Sequence, residues 1–159
     1  MRYSSLLELF DSRVPYTWEV STSKRHVAAF QVTDKRYQIT FSRDDENLTE
    51  FGPGWDVRFE LLVESASGQV FDTSVTNTGN AAQVFACVLR VIDEFMIAVK
   101  PEYLAFSADE VSRQSLYRRL VSSLLTKYPT YKRVGDLTDN SLFIVSSIPE
   151  HTKITDNGF

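Results

Sequence analysis

Residues 104–120 read LAFSADEVSRQSLYRRL, a compact apolar run followed at once by residues spaced for a helix. Leu104 to Ser107 has the length and composition of a buried strand. Tyr117, Leu120, Val121 and Leu124 instead recur at the three-and-four spacing that puts side chains on one side of a helix. Between the two patterns stands Ser107-Ala-Asp-Glu110, the spacing of a capping box, in which a serine hydroxyl and a glutamate carboxylate each satisfy a backbone N–H left unpaired in the first turn. The stretch therefore predicts a strand that passes directly into a helix starting at Ser107. Arg118 and Arg119 fall off the inward stripe, so the fold does not require them.

Upstream, the helical period runs from Ala81 to Val99 through Val84, Phe85, Val88, Val91, Ile92, Phe95 and Met96, with Gln83, Arg90 and Glu94 marking a narrow polar side. So wide an apolar surface suits a helix laid on a sheet, and Pro101 ends it. Before Asn80 the pattern is that of strands rich in aromatic and β-branched residues: YTWEV, RHVAAFQV, RYQITFSR, WDVRFELLVES and QVFDTSV. Thr33-Asp34-Lys35 is short enough for a hairpin loop. RDDENLTEFGPGW, with its acids, two glycines and Pro53, reads as a loop. SSLLELF predicts a short opening helix, and YKRVGDL and SLFIVSSI predict two final strands.

The order is then helix, meander, helix, strand, helix, strand, strand. A strand–helix–strand step requires a crossover and places a parallel pair in the sheet. The expectation is an α+β fold, a mixed, mostly antiparallel sheet covered by helices. Residues 1–148 read as a single domain, and residues 149–159, without periodicity, as a flexible tail.

The 159 residues, 43% hydrophobic and 24% charged, are enough for one core. A net charge of −4 argues against a general nucleic-acid binder. The charge is unevenly spread: Asp109 to Gly135 carries six positive and two negative residues, a local +4, against −8 for the rest. That segment gives a candidate partner-binding set of Arg113, Arg118, Arg119, Lys132 and Arg133, facing an acidic body and suited to a protein partner. No apolar stretch is long enough to span a membrane, and the opening apolar run is too short for a secretory signal, so a cytoplasmic protein is expected. Cys87, the one cysteine, sits on the apolar side of the long helix and reads as a small inert hydrophobe.

Few residues are spaced for chemistry. His26 and His151 have no ligand-spaced partners, and Asp44-Asp45-Glu46 lacks the ordered spacing of a calcium loop, so no metal site is expected. No serine stands in a nucleophile elbow. Two places remain. One is VTNTGNAAQVF, where Gly79 lets backbone approach a ligand and the exposed amides of the following helix favour an anion. The other is the pair Arg113 and Tyr117, four apart on one helix side.

With these placed, the span from about Trp55 to Ile148 resembles the GCN5-related N-acetyltransferase family. The family's Q/R-x-x-G-x-G/A loop, which wraps the pyrophosphate of acetyl-CoA, is matched in part by Thr76-Asn-Thr-Gly79-Asn80-Ala81, with Thr76 replacing the basic or amide residue. Its N-x-x-A-x-x-L-Y motif is matched at Leu116-Tyr117, while Glu110 and Arg113 stand where asparagine and alanine belong. The resemblance implies an acetyl-CoA site at Thr76, Gly79, Asn80 and Ala81, Tyr117 as general acid, and Glu60 or Glu64 as base. The departures, Arg113 above all, imply instead a non-catalytic protein of that shape which binds or inhibits a host macromolecule, similar to small accessory proteins of tailed phages. A homo-oligomeric structural component is a third expectation.

Overall fold

The computed structural model describes residues 14–49, 52–65, 68–72, 81–108 and 111–148. In chain order the elements are β1 (Tyr16–Ser21), β2 (Arg25–Val32), β3 (Lys35–Thr49), β4 (Gly52–Ser65), β5 (Gly68–Asp72), α1 (Ala81–Val99), β6 (Tyr103–Ser107), α2 (Val111–Lys127), β7 (Lys132–Val134) and β8 (Leu142–Ser146). Eight strands form one sheet in the order β1-β2-β3-β4-β6-β8-β7, with β5 paired to β4 off that path. The first four strands are an antiparallel meander, β4 and β6 are parallel, and β6, β8 and β7 are antiparallel. The expected α+β class and helix-covered mixed sheet are therefore what the chain adopts. The parallel pair follows from the crossover through α1.

Strand alternation sets the core. Ala28, Phe30 and Val32 of β2, Tyr37, Ile39 and Phe41 of β3, and Trp55, Val57, Phe59 and Leu61 of β4 are buried with Leu104, Phe106, Phe143 and Val145. The same cluster holds the inward stripes of α1 (Val84, Cys87, Val88, Val91, Ile92, Phe95, Met96) and α2 (Leu116, Tyr117, Leu120, Val121, Leu124), so both helices lie on one sheet face. The Phe41 and Phe95 rings stack with centroids 4.0 Å apart and planes 9° from parallel, fixing α1 over β3. Tyr103, Ala105, Val134 and Ile144 form a smaller cluster on the opposite face. Asp93 ties α1 to α2, receiving Lys127 Nζ at 2.9 Å and the Tyr128 hydroxyl. Among the described residues, no helix is long and apolar enough to cross a membrane.

Two expectations are corrected. The stretch read as a loop between Arg43 and Trp55 is largely strand: β3 runs to Thr49 and β4 starts at Gly52, with Thr49 paired to Gly52 after an irregularity that follows Asp44. Pairing is interrupted after Asp44 and resumes at Thr49. The second helix starts at Val111, not Ser107, because Ser107 is still paired with Leu142 and the Ala108 N–H donates to the Ser141 carbonyl. Glu110 of the expected capping box, the opening helix and the tail lie outside the described residues.

Candidate functional site

The chemistry-bearing residues meet where β4 and β6 part. Leu61 and Leu62 pair with β3 on one side and with β5 on the other, so β5 and β6 share one edge of β4. On that edge, among the described residues, β6 pairs with Trp55, Asp56 and Val57 and β5 with Leu61 to Ser65, and no described strand residue stands opposite Arg58, Phe59 and Glu60. Tyr117 reaches this stretch of β4. The Phe59 N–H donates to its hydroxyl at 3.0 Å, in place of a ladder hydrogen bond.

Tyr117 reaches the gap because α2 lays Leu116, Tyr117 and Leu120 on the core while Phe106 packs edge-on against the tyrosine ring, centroids 5.4 Å apart. The residue is 0% exposed. Burial pushes its hydroxyl above the usual tyrosine range, against the opposing pull of the Phe59 amide and the Arg113 charge. Arg113, one turn earlier on the same stripe, is itself buried, and its Nε has no hydrogen-bond partner among the described residues. Asp56, on β4 before the gap, has its carboxyl pushed up by burial, against the charge of Arg58. The arrangement is a neutral phenol closed off from solvent and held by a backbone donor.

The other expected site residues are dispersed. Strand alternation turns Glu60, half-buried opposite Gln38, to the sheet face away from the helices, so it does not join Tyr117 as an acid–base pair. Glu64 lies in β4 near its pairing with β5, and its side chain is outside the described residues. Thr76, Gly79 and Asn80 also lie outside them, and Ala81 is the first residue of α1. The expected basic surface is reduced. Arg113 is buried, and Arg133 donates to the Asp139 and Leu142 carbonyls at 2.7 and 3.3 Å while its guanidinium lies 4.5 Å from the centre of the Phe143 ring. Arg119 is exposed but stacks on Phe85 of α1 at 4.3 Å. Arg118 on α2 and Lys132 on β7 remain exposed, on separate elements. Cys87 is 1% exposed, on the inward side of α1 as expected, with its thiol pushed up to about 11 by burial.

The family described as "Family of unknown function (DUF6934)" matches residues 39–147. The chain belongs to that family. The matched span starts within β3 and includes β4, both helices and β8, so the gap and Tyr117 lie inside it. No curated protein matches the chain. A solved structure described as "The crystal structure of KacTA-DNA complex" aligns at 17% identity with a TM-score of 0.40, covering 86% of this chain and 76% of that one.

Sequence reasoning found Tyr117 but missed its acceptor role, and it missed Asp56. The signal for Asp56 was present, a carboxylate between the apolar residues Trp55 and Val57. It also missed a polar cavity of ≈ 280 Å³ lined by Arg43, Gly54, Trp55 and Lys100 among others. A second cavity, of ≈ 190 Å³, lies between the helices against Leu89, Ile92 and Leu124.

Proposed function

We propose that this chain is a non-catalytic binding protein with an acetyltransferase-like sheet, which engages a protein partner and does not turn over an acyl-CoA. The observation that supports this is the state of Tyr117. A general acid must reach its leaving group, and here the phenol is buried, its oxygen taken up by the Phe59 amide, with Arg113 packed into the same stripe. The competing reading, an acyl-CoA-dependent N-acetyltransferase, draws support from the position of that tyrosine at the parting of β4 and β6. Exposed Arg118 and Lys132 are the basic residues available to a partner in the non-catalytic reading.

The two readings separate in one titration. A ligand at about a hundred times its Kd stabilises the folded state by about 2.7 kcal/mol, which a melting curve resolves. Acetyl-CoA is expected to leave the melting temperature unchanged and to release no CoA with amine or protein acceptors. A saturable rise in melting temperature, with CoA release that Tyr117→Phe abolishes, would overturn the proposal in favour of the enzyme.

A further inference from the structure

We propose that His26 is an acid-sensitive latch: neutral, its ring holds the C-terminal half of α1 to the sheet, and protonated, it leaves that contact and loosens α1 there. This inference depends neither on Tyr117 nor on the binding role proposed above. His26 stands at the start of β2 and is half-buried. Its ring centre lies 5.6 Å from that of Phe95 on α1, 5.4 Å from Trp55 on β4 and 6.2 Å from Trp18 on β1. Phe95 docks this part of α1, stacked on Phe41 at 4.0 Å and nearly perpendicular to Trp55 at 5.1 Å. One imidazole therefore joins β1, β2, β4 and α1.

A histidine serves in such a cluster as an aromatic ring only while it is neutral. The imidazolium carries two N–H donors and a charge, and phenylalanine and tryptophan side chains offer neither of them an acceptor. Nδ1 lies 3.0 Å from the Ser21 hydroxyl, which can donate to the neutral ring or accept from the charged one. Burial among the rings then decides the balance, and it holds His26 below the ordinary histidine value of 6.5. Cation–π attraction to the two indoles would act the other way, so the direction of the titration is itself a test. The way out for a charged ring is short, because the chain from Ser21 to Arg25 beside it is exposed.

The charged groups on the surrounding elements are mostly engaged. Glu19 on β1 pairs with Arg36, Glu94 on α1 accepts the Tyr16 hydroxyl, and the Arg43 guanidinium lies 5.9 Å from the centre of the Trp55 ring. Lys24 precedes β2, Asp44 follows Arg43 on β3, and strand alternation turns Asp56 to the sheet face away from Trp55. The side chains of Asp45, Glu46 and Glu50 lie outside the described residues. His26→Phe keeps every one of these groups, so the difference between its pH profile and that of the wild type belongs to the imidazole.

A folded value below the unfolded one of about 6.5 means that the unfolded chain takes up the proton first. This part of the stability is complete above about pH 6.5 and is lost as pH falls through the folded value. The chain has two histidines, so the ring resonances absent from His26→Phe are those of His26, and His151→Gln makes the same assignment if that variant does not fold. By NMR, His26 is expected to titrate below 6.5. Over that range the wild type should lose melting temperature relative to His26→Phe, which keeps a ring against Phe95 and Trp55. The Phe95 amide should lose hydrogen-exchange protection beyond the global change, while Leu120 on α2 follows the global change only. Titration at or above 6.5 would overturn the proposal, showing an imidazolium held by the tryptophans. A melting profile parallel to that of His26→Phe, or Phe95 protection that tracks Leu120 throughout, would overturn it as well.

Discussion

Replacing Tyr117 with phenylalanine removes one oxygen and leaves the ring against Phe106, so the variant isolates the hydrogen bond from Phe59. The tyrosine is 0% exposed, and no water takes over from the lost oxygen without rearrangement. The Phe59 N–H becomes a buried donor without an acceptor, at a cost of about 1–3 kcal/mol. For a chain of this size each kcal/mol moves the melting temperature by roughly 2–4 °C, so a fall of about 2–12 °C is expected. Urea unfolding should show a lower midpoint at unchanged slope, since the surface exposed on unfolding is the same.

Amide hydrogen exchange supplies the local readout. Phe59 should lose protection beyond the global change, while Ile39, directly opposite on β3, should follow the global change only. If the variant is as stable as the wild type and the Phe59 amide stays protected, the hydroxyl has no structural role, and the case against a catalytic phenol loses its footing.

At Gly54 an added Cβ would stand 2.8 Å from the Tyr103 Cβ, so Gly54→Ala must push β4 from the start of β6; a loss of about 1–3 kcal/mol is expected in urea unfolding, and a neutral result would mean the strands are looser there than they stand. Burial, then the hydrogen bond and charge of Asp93, push the Tyr128 hydroxyl up to about 12. Its raised folded value means that this contribution to stability is complete below about pH 10, the unfolded value, and is lost as pH rises through about 12. Tyr128→Phe should therefore flatten the alkaline fall of stability followed by circular dichroism; an unchanged profile would remove Tyr128 as a contributor.

How far the sequence was legible depends on how local each signal is. The stripe from Val84 to Met96 was readable because burial along one helix repeats at a fixed spacing, and the core holds those residues. Arg113 was half readable. Its spacing to Tyr117, Leu120 and Leu124 put it on the inward stripe, yet arginine as a residue type suggested a surface, and spacing prevailed. Arg133 misled in the same way, its guanidinium serving the backbone carbonyls of Asp139 and Leu142. That β5 and β6 share one edge of β4 was not legible at all, because the two strands are far apart in the chain. Nor was the cavity beside Trp55, which draws residues from β3, β4 and the α1–β6 connection.

The shared edge also limits what can enter. An extended ligand lying along β4 needs free backbone donors and acceptors, and among the described residues between β6 and β5 Arg58, Phe59 and Glu60 have no strand neighbour on that edge. Three residues span about 10 Å, and the central N–H is already held by Tyr117. Admitting a ligand requires the tyrosine to leave the core, and emptying a site of that size costs about 3–5 kcal/mol by analogy with deleting a buried aromatic side chain. An opening of 3 kcal/mol leaves less than about one molecule in a hundred open, and the apparent affinity of a ligand selecting that state falls by the same factor. Binding at the gap would therefore be coupled to release of Tyr117. Partner binding at exposed residues such as Arg118 or Lys132 carries no such penalty.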